Sequence, residues 1–467
     1  MAINNKHKQY KKYSDKWKKI ENITEGDEVE QYLITLNPKD KSQENRFRNE
    51  QYQDRAVFYD IAGYTKAGLV SLPFSKPSSI ELPTSLEYLV DNVDGKGSDL
   101  TQQAKDSLSQ VIGKGRCGLF VTFPKTEKEL SKADMNLYFS TIQKVEANQI
   151  INWHTRTVGS IALLDLVVIQ EEVCELNLET YEEESYDQIT ELYLDEFQVY
   201  VVRKWKHNKK DDTWVITDKS VPKQANGQPF HKIPFIFLGS EYNSAEVNHP
   251  PLLNLCNQNI AHYRNSADYE DSVFYCGQAQ PWMSGFTTEH AKLLKSSETY
   301  VGSRNLMGVP SGERFGFESA PPNPLARQAM LDKVDIMIGL GARFIKESGK
   351  IKTATEAASD SKVQHSQLAT IVANVNEGYQ KALHFVSLFM GNKEEVNFEL
   401  NTNFISPTAS AQDIQAMVAS FIQGAIPQSD YFRWLKQRDL VDPEKTVDEF
   451  NEELTPVAAI EIDEDED

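Results

Sequence analysis

The sequence predicts an α+β protein. Up to about residue 245, short apolar runs are separated by turn residues, which is the pattern of strands with occasional helices. After residue 249 the apolar residues recur at steps of three and four over long spans, the pattern of extended helices. A chain of 467 residues with 40% hydrophobic and 25% charged residues has room for two to four domains, each with a sizeable core. No window approaches the eighteen or so consecutive apolar residues of a membrane span, which excludes an integral helical membrane protein.

In chain order, "NRFRNEQYQDRAVFYDIAGY" from Asn45 to Tyr64 reads as one helix with Phe47, Tyr52, Phe58 and Ile61 inward, and "GLVSLPFSKP" then breaks into an extended segment. Leu100, Ala104, Leu108, Val111 and Ile112 make an amphipathic helix capped by Ser98 and ended by Gly113 and Gly115. "RCGLFVTFP" follows as a buried strand stopped by Pro124. The glycines of "GKGRCG" lie between a helix and a strand, the reverse of a phosphate loop, and read as a helix stop with a tight turn. "GSIALLDLVVIQEEV", the hairpin of "FQVYVVRKWK" and "DTWVITDK", and "KIPFIFLGSEY" are further strands.

The second half opens with Pro250 and Pro251, favoured at a helix start. Leu253, Cys256, Ile260, Tyr263, Ala267 and Phe274 then follow a near seven-residue repeat, predicting a helix roughly 40 Å long at about 1.5 Å per residue. From Gly277 to Pro324, Gly and Pro recur and predict an irregular module with short strands. Helix resumes from Leu325 to Lys346 with Val334, Ile338, Gly341 and Phe344 or Ile345 on one face. "ESGKIK" interrupts it, and Thr353 with Glu356 makes a capping box for a long helix that Gly391 stops. A strand "VNFELNTNF" and helices near Ala409 to Gln423 and Ser429 to Arg438 complete the chain.

Charge is unevenly distributed around a net of −20. Residues 1–20 hold seven Lys against one Asp, and Asp442 to Asp467 hold twelve acids against Lys445, so both ends are expected to be exposed arms. Glu171 to Glu196, with eleven acids and no base, reads as a solvated face or loop. The net charge argues against an ordinary sequence-specific DNA binder but leaves room for a protein that lets DNA pass without gripping it. The basic N-terminus lacks the apolar core of a secretory signal, and the four scattered cysteines read as buried free thiols, so a reducing cytoplasm is expected.

Chemistry-bearing patterns are sparse. Cys117, Cys174, Cys256 and Cys276 have no metal-ligand spacing, the nine His are dispersed, and no cofactor fingerprint is found, so neither metal nor cofactor is expected. His262 and Ser266 stand one helical turn apart without a nucleophile elbow, and read as a polar surface pair rather than a catalytic one.

Eight stretches, in this order, resemble tailed-bacteriophage portal proteins, the head-to-tail connectors: "YTKAGLVSLPFSKPSSIELP", "GKGRCGLFVTFP", "QIINWHTRTVGSIALLDLVVIQEE", "IPFIFLGSEY", "PPLLNLCNQNIAHYRNSADYED", "IGLGARFI", "TATEAASDSKVQHSQLATIVANV" and "NFELNTNF". The likeness runs from about residue 45 to residue 440 and rests on order and spacing. It departs from the family pattern at Cys117 and in "VTFP", where an aliphatic residue and an acidic residue after the strand are more usual, and this puts no functional group in doubt.

The resemblance implies a portal-type subunit with a mixed α/β wing, a long-helix stem, a small turn- and β-rich clip and a helical crown. On that template residues 1–44 are a basic arm, 45–248 the first part of the wing, 249–276 a stem helix and 277–323 the clip. Residues 324–346 are the returning stem helix, 347–353 the tunnel loop, 354–391 a long wing helix, 392–441 the passage to the crown, and 442–467 an acidic tail. Leu253, Ile260, Tyr263, Ala267 and Phe274 would pack the stem, and Lys350 and Lys352 would be sparse DNA contacts in the channel.

The resemblance also implies a ring of typically twelve subunits at one capsid vertex. Double-stranded DNA would pass through it, and the terminase large subunit, the major capsid or scaffold protein and a head-tail adaptor would be its partners. The protein would be found in the virion, and in the host cytoplasm during assembly, with no catalysis. A capsid-associated scaffold or head-completion protein without a channel, and a hydrolase built on His262, are the competing readings.

Overall fold

A computed structural model describes residues 3–125, 138–178, 181–208, 211–278, 280–285, 314–319, 324–345, 366–402 and 426–437, with a few single positions between them. The chain divides into two compact units, Met1–Thr402 and Asn403–Asp467. The fold is α+β.

The core of the first unit is a three-stranded antiparallel sheet, order β3-β2-β9, formed by Thr141–Glu146, Arg116–Thr122 and Phe235–Gly239. Helix α5 (Leu100–Lys114) and helix α8 (Gln367–Met390) pack on it and on each other. Tyr379 of α8 is buried at that contact, its hydroxyl 2.9 Å from the Ser107 Oγ and donating to Gln103 Oε1 at 3.2 Å. Gly378 lets α8 approach the sheet, because a Cβ there would lie 2.0 Å from the Leu238 side chain. The predicted face of α5 is buried throughout. Its cap, however, is Asp99, which accepts from Gln102 N at 2.6 Å, while Ser98 instead donates to Asp94.

"GKGRCG" is a helix stop. Gly115 ends α5 with φ 74°, a conformation that suits glycine, and a Cβ there would meet the His249 carbonyl oxygen at 3.1 Å. Arg116 is buried between the rings of Trp153 and Phe237 at 4.1 and 4.2 Å and donates to Ala245 O. Burial pushes its guanidinium pKa down to about 9, so it stays charged at neutral pH.

A second sheet is an antiparallel meander, β4 (Ile150–Val158), β5 (Ile161–Leu176), β6 (Glu183–Leu194), β7 (Tyr200–Asn208) and β8 (Thr213–Ser220). The acidic block is therefore mostly strand, not loop. It lies on β5 and β6; on the part of the pair that outruns its neighbours no residue from Glu171 to Leu176 or from Glu183 to Gln188 is buried, while Glu191 further along β6 is.

Four expectations are corrected. Residues 8–25 form helix α1 (Lys8–Glu25), with Tyr10, Tyr13, Trp17, Ile20 and Ile23 buried, so this stretch is no exposed arm. The apolar residues at positions 10, 13, 17 and 20 form a stripe on a helix whose other side is lysine, and the charge count alone hid it. The single helix expected over 45–64 is two, α2 (Gln43–Asp54) and α3 (Ile61–Ser71), and Phe47 is exposed. The chain turns because Asp60 caps α3, accepting from Gly63 N at 2.7 Å. Helix then continues past the expected break into a 3₁₀ turn at Leu72–Phe74. Finally, all four cysteines are free but only Cys117 and Cys256 are buried, since Cys174 lies on the outer part of β5.

Two shorter pieces also belong to the first unit. Helix α4 (Tyr88–Asp91) is a single turn, and β1 (Ser79–Glu81) pairs with β12 (Asn397–Glu399). In the second unit, the expected helix near 429–438 is α9, Gln428–Gln437. The expected helix at 409–423 and the acidic tail lie outside the described residues.

Candidate functional site

Helix α6 (Leu253–Gly277) is split in two by its surroundings. Its first half is built into the core of the unit, where Leu253, Ile260, Tyr263 and Ala267 are buried. From Asp268 onwards no residue of the helix is buried, and Phe274 is 39% exposed. Four of the five expected packing positions are thus inside, while the fifth lies on the part that leaves the body.

The polar residues that give this helix the look of an active site hold the chain in place. Asn259 Oδ1 accepts from Ile61 N and Ala62 N at 3.1 and 3.0 Å, and its Nδ2 donates to Tyr59 O at 2.9 Å, which anchors the start of α3. Ser266 Oγ accepts from Val57 N at 3.1 Å and lies 2.8 Å from Val57 O. His262 is buried with its ring edge-on to Tyr59 at 5.5 Å, and its Nδ1 has no hydrogen bond. His262 and Ser266 are therefore buried packing groups and not the surface pair expected. The segment between α2 and α3 lies across this face of α6, and its backbone takes the serine hydroxyl.

The outer half of α6 is braced by α2. Asp271 receives Arg48 Nη1 at 2.9 Å and Arg55 Nη1 at 3.2 Å, and Tyr52 OH donates to Asp268 Oδ1 at 2.7 Å. Arg55 lies over the Phe274 ring at 3.8 Å and Arg48 over Tyr275 at 5.0 Å, so each guanidinium is used twice. Sequence reading missed this clamp. The available signal was spacing: Arg48 and Arg55 are two turns apart on one helix, and Asp268 and Asp271 one turn apart on the other.

Beyond α6, β10 (Gln280–Ser284) pairs with β11 (Arg314–Glu318) in a two-stranded antiparallel ribbon. Helix α7 (Leu325–Arg343) returns along α6. Its buried residues are Ala326 and Met337, with Phe344 just past its end. Ile338, expected inward, is 61% exposed, and the buried position is Met337, one residue earlier. Leu331 and Ile336 are exposed with it, as is Val273 on α6. The two helices form a pair that leaves the body and bears apolar side chains on the outside. Lys350 and Lys352, the Thr353 and Glu356 capping box, and most of the turn-rich module lie outside the described residues.

Burial lowers the pKa of His262 below the ordinary value of 6.5, helped by the charge of Lys333, and burial with Arg116 does the same to His7. Folding then excludes protons that the unfolded chain binds. Stability is full above pH 6.5 and falls as the pH drops from there through the folded-state values. A urea midpoint measured from pH 7.5 to 5 is expected to decline with acid, and His262→Gln to decline less steeply; parallel curves would refute the assignment.

Residues 251–390 match a family model described as a domain of unknown function, DUF4055, a span that takes in α6, the ribbon, α7 and α8. Among solved structures, a chain from the virion of a native gene transfer agent particle is similar, with 11% identity and a TM-score of 0.40 over 79% of this chain and 87% of that one. No curated protein sequence matches.

Proposed function

We propose that the protein is a structural subunit of a phage-type virion, and within it the portal: a ring at one capsid vertex through which double-stranded DNA moves during packaging and ejection. The observation that carries the reading is the α6–ribbon–α7 arrangement, two helices that pack together and flank the β10–β11 ribbon, with Leu331, Ile336, Ile338 and Val273 exposed. Leu331 and Ile338 lie on one side of the buried Met337 and Ile336 on the other, so exposed apolar side chains on both flanks call for partners, and the two neighbouring copies in a ring supply them. The ordered sequence resemblance to portal proteins supports the same assignment.

On this reading α6 and α7 are the stem and the module between them is the clip, which would meet the terminase large subunit and later the tail adaptor. The wing would sit against the major capsid or scaffold protein. Lys350 and Lys352 would be sparse channel contacts in an otherwise acidic subunit, which keeps DNA moving because few phosphates are neutralised. The role is architectural rather than catalytic, with no cofactor. A ring of about twelve copies with a central hole, seen by native mass and electron microscopy, is the expected result. A protein that remains monomeric under all assembly conditions would overturn it, and solid assemblies without a hole would favour a scaffold or head-completion protein.

A further inference from the structure

Two features of the meander sheet are not used by the stem. The first is a groove of about 800 Å³ between the start of β5, strand β9 and helix α8. Its walls are apolar, with Ile161 and Leu163 from β5 and Phe235 and Phe237 from β9, and Lys232 and Lys381 stand at its edge. Lys381 is shared with Glu377 at 2.7 Å.

The second feature is at the far end of β5. Pairing with β4 ends at Ile169 and pairing of β6 with β7 ends at Gln188, so Glu171–Leu176 and Glu183–Asp187 continue as a bare two-stranded ribbon. Glu172 stands opposite Asp187 and Glu175 opposite Glu184, like-charge pairs that weaken a ribbon already marginal by itself. Lys206 relieves part of this, lying over the Tyr186 ring and 4.0 Å from Glu175. At the tip Asn177 N donates to Glu182 O at 2.9 Å and Tyr181 N to Asn177 O at 2.7 Å. It holds Leu178, 74% exposed, and Tyr181, 79% exposed.

The apolar tip with acidic flanks and the apolar groove, whose edge carries Lys232 beside the Lys381–Glu377 pair, are chemically complementary, and one strand separates them. From Leu163 to Leu176 is thirteen residues, about 43 Å at about 3.3 Å per residue. A copy cannot fill its own groove, but a second copy can.

We infer that the ribbon tip of one subunit seats in the groove of the next, with Leu178 and Tyr181 against the Ile161 and Phe235 walls and Glu183 and Glu184 beside Lys232 and Lys381. Tip and groove are different patches of the chain, so the contact is heterologous, the type that closes into a ring when each step adds a fixed rotation. The inference rests on the ring reading and adds a wing contact to the stem contact.

The test uses full-length protein. Leu178→Glu with Tyr181→Glu is expected to raise the concentration needed for assembly at least tenfold while leaving the circular dichroism spectrum of the monomer unchanged. Glu183→Lys with Glu184→Lys should weaken assembly too, and adding Lys232→Glu with Lys381→Glu should restore it. Rings made from equal parts ¹⁵N-labelled and unlabelled protein, treated with a carbodiimide, should yield mixed-isotope links between the ribbon acids and Lys232 or Lys381. Wild-type rings with unchanged assembly in the tip variant, or links within one isotope only, would overturn the contact and leave the ring standing. Links from those lysines to acids after residue 442 would overturn it in favour of the acidic tail. Wild-type protein that forms no rings would overturn both readings together.

Discussion

Trp17→Ala should destabilise the first unit by about 3–5 kcal/mol, the cost of removing a fully buried large aromatic. Trp17 is 0% exposed, edge-on to Tyr10 and stacked with Tyr13 at 5.9 and 6.2 Å. Its Nε1 donates to Lys114 O at 2.9 Å, so the change also strands a carbonyl at the end of α5. The effect should spread from there. Lys114 is itself buried, and its ammonium joins Glu21 of α1 at 2.9 Å to Glu146 of β3 at 3.4 Å. Lys12→Ala, on the exposed side of the same helix, should change stability by no more than about 0.5 kcal/mol. Urea unfolding of the two variants decides the matter, since an exposed basic arm would give no change for either.

The second large effect concerns assembly. Leu331→Glu combined with Ile338→Glu is expected to leave a folded monomer that forms no rings. Both side chains are exposed in the isolated chain, so the folded subunit loses little. At a packed stem contact each replacement forfeits about 2 kcal/mol of apolar burial and buries an unpaired carboxylate at a cost of several kcal/mol more. The loss recurs at every interface of the ring. Sedimentation of the variant beside wild type reads the outcome directly. Rings of normal yield would mean that this flank faces solvent in the assembly, and the stem would have to be placed differently.

Much of the fold was legible from residue order. The inward face of α5, the strand that follows it, the β7–β8 hairpin and the long helix after Pro251 follow from short-range periodicity and from glycine and proline, whose conformational effects are local. Helix α1 was misread because a count of lysines looks at charge without position, and the stripe of Tyr10, Tyr13, Trp17 and Ile20 is visible only when the residues are placed on a helix. The Arg48, Arg55 and Asp271 clamp joins residues more than two hundred positions apart, and the spacing on each helix does not say that the two helices meet.

The same division applies to "NLCNQNIAHYRNSADYEDSVFYCG". Its helical form and its stripe of Leu253, Ile260, Tyr263 and Ala267 are local consequences of side-chain period and follow from residue order alone. Whether its serine and histidine face water or protein, where burial stops, and that Phe274 lies beneath an arginine were decided by the segments that fold across it. Burial is a property of pairs of distant elements, and only tertiary packing establishes which elements meet.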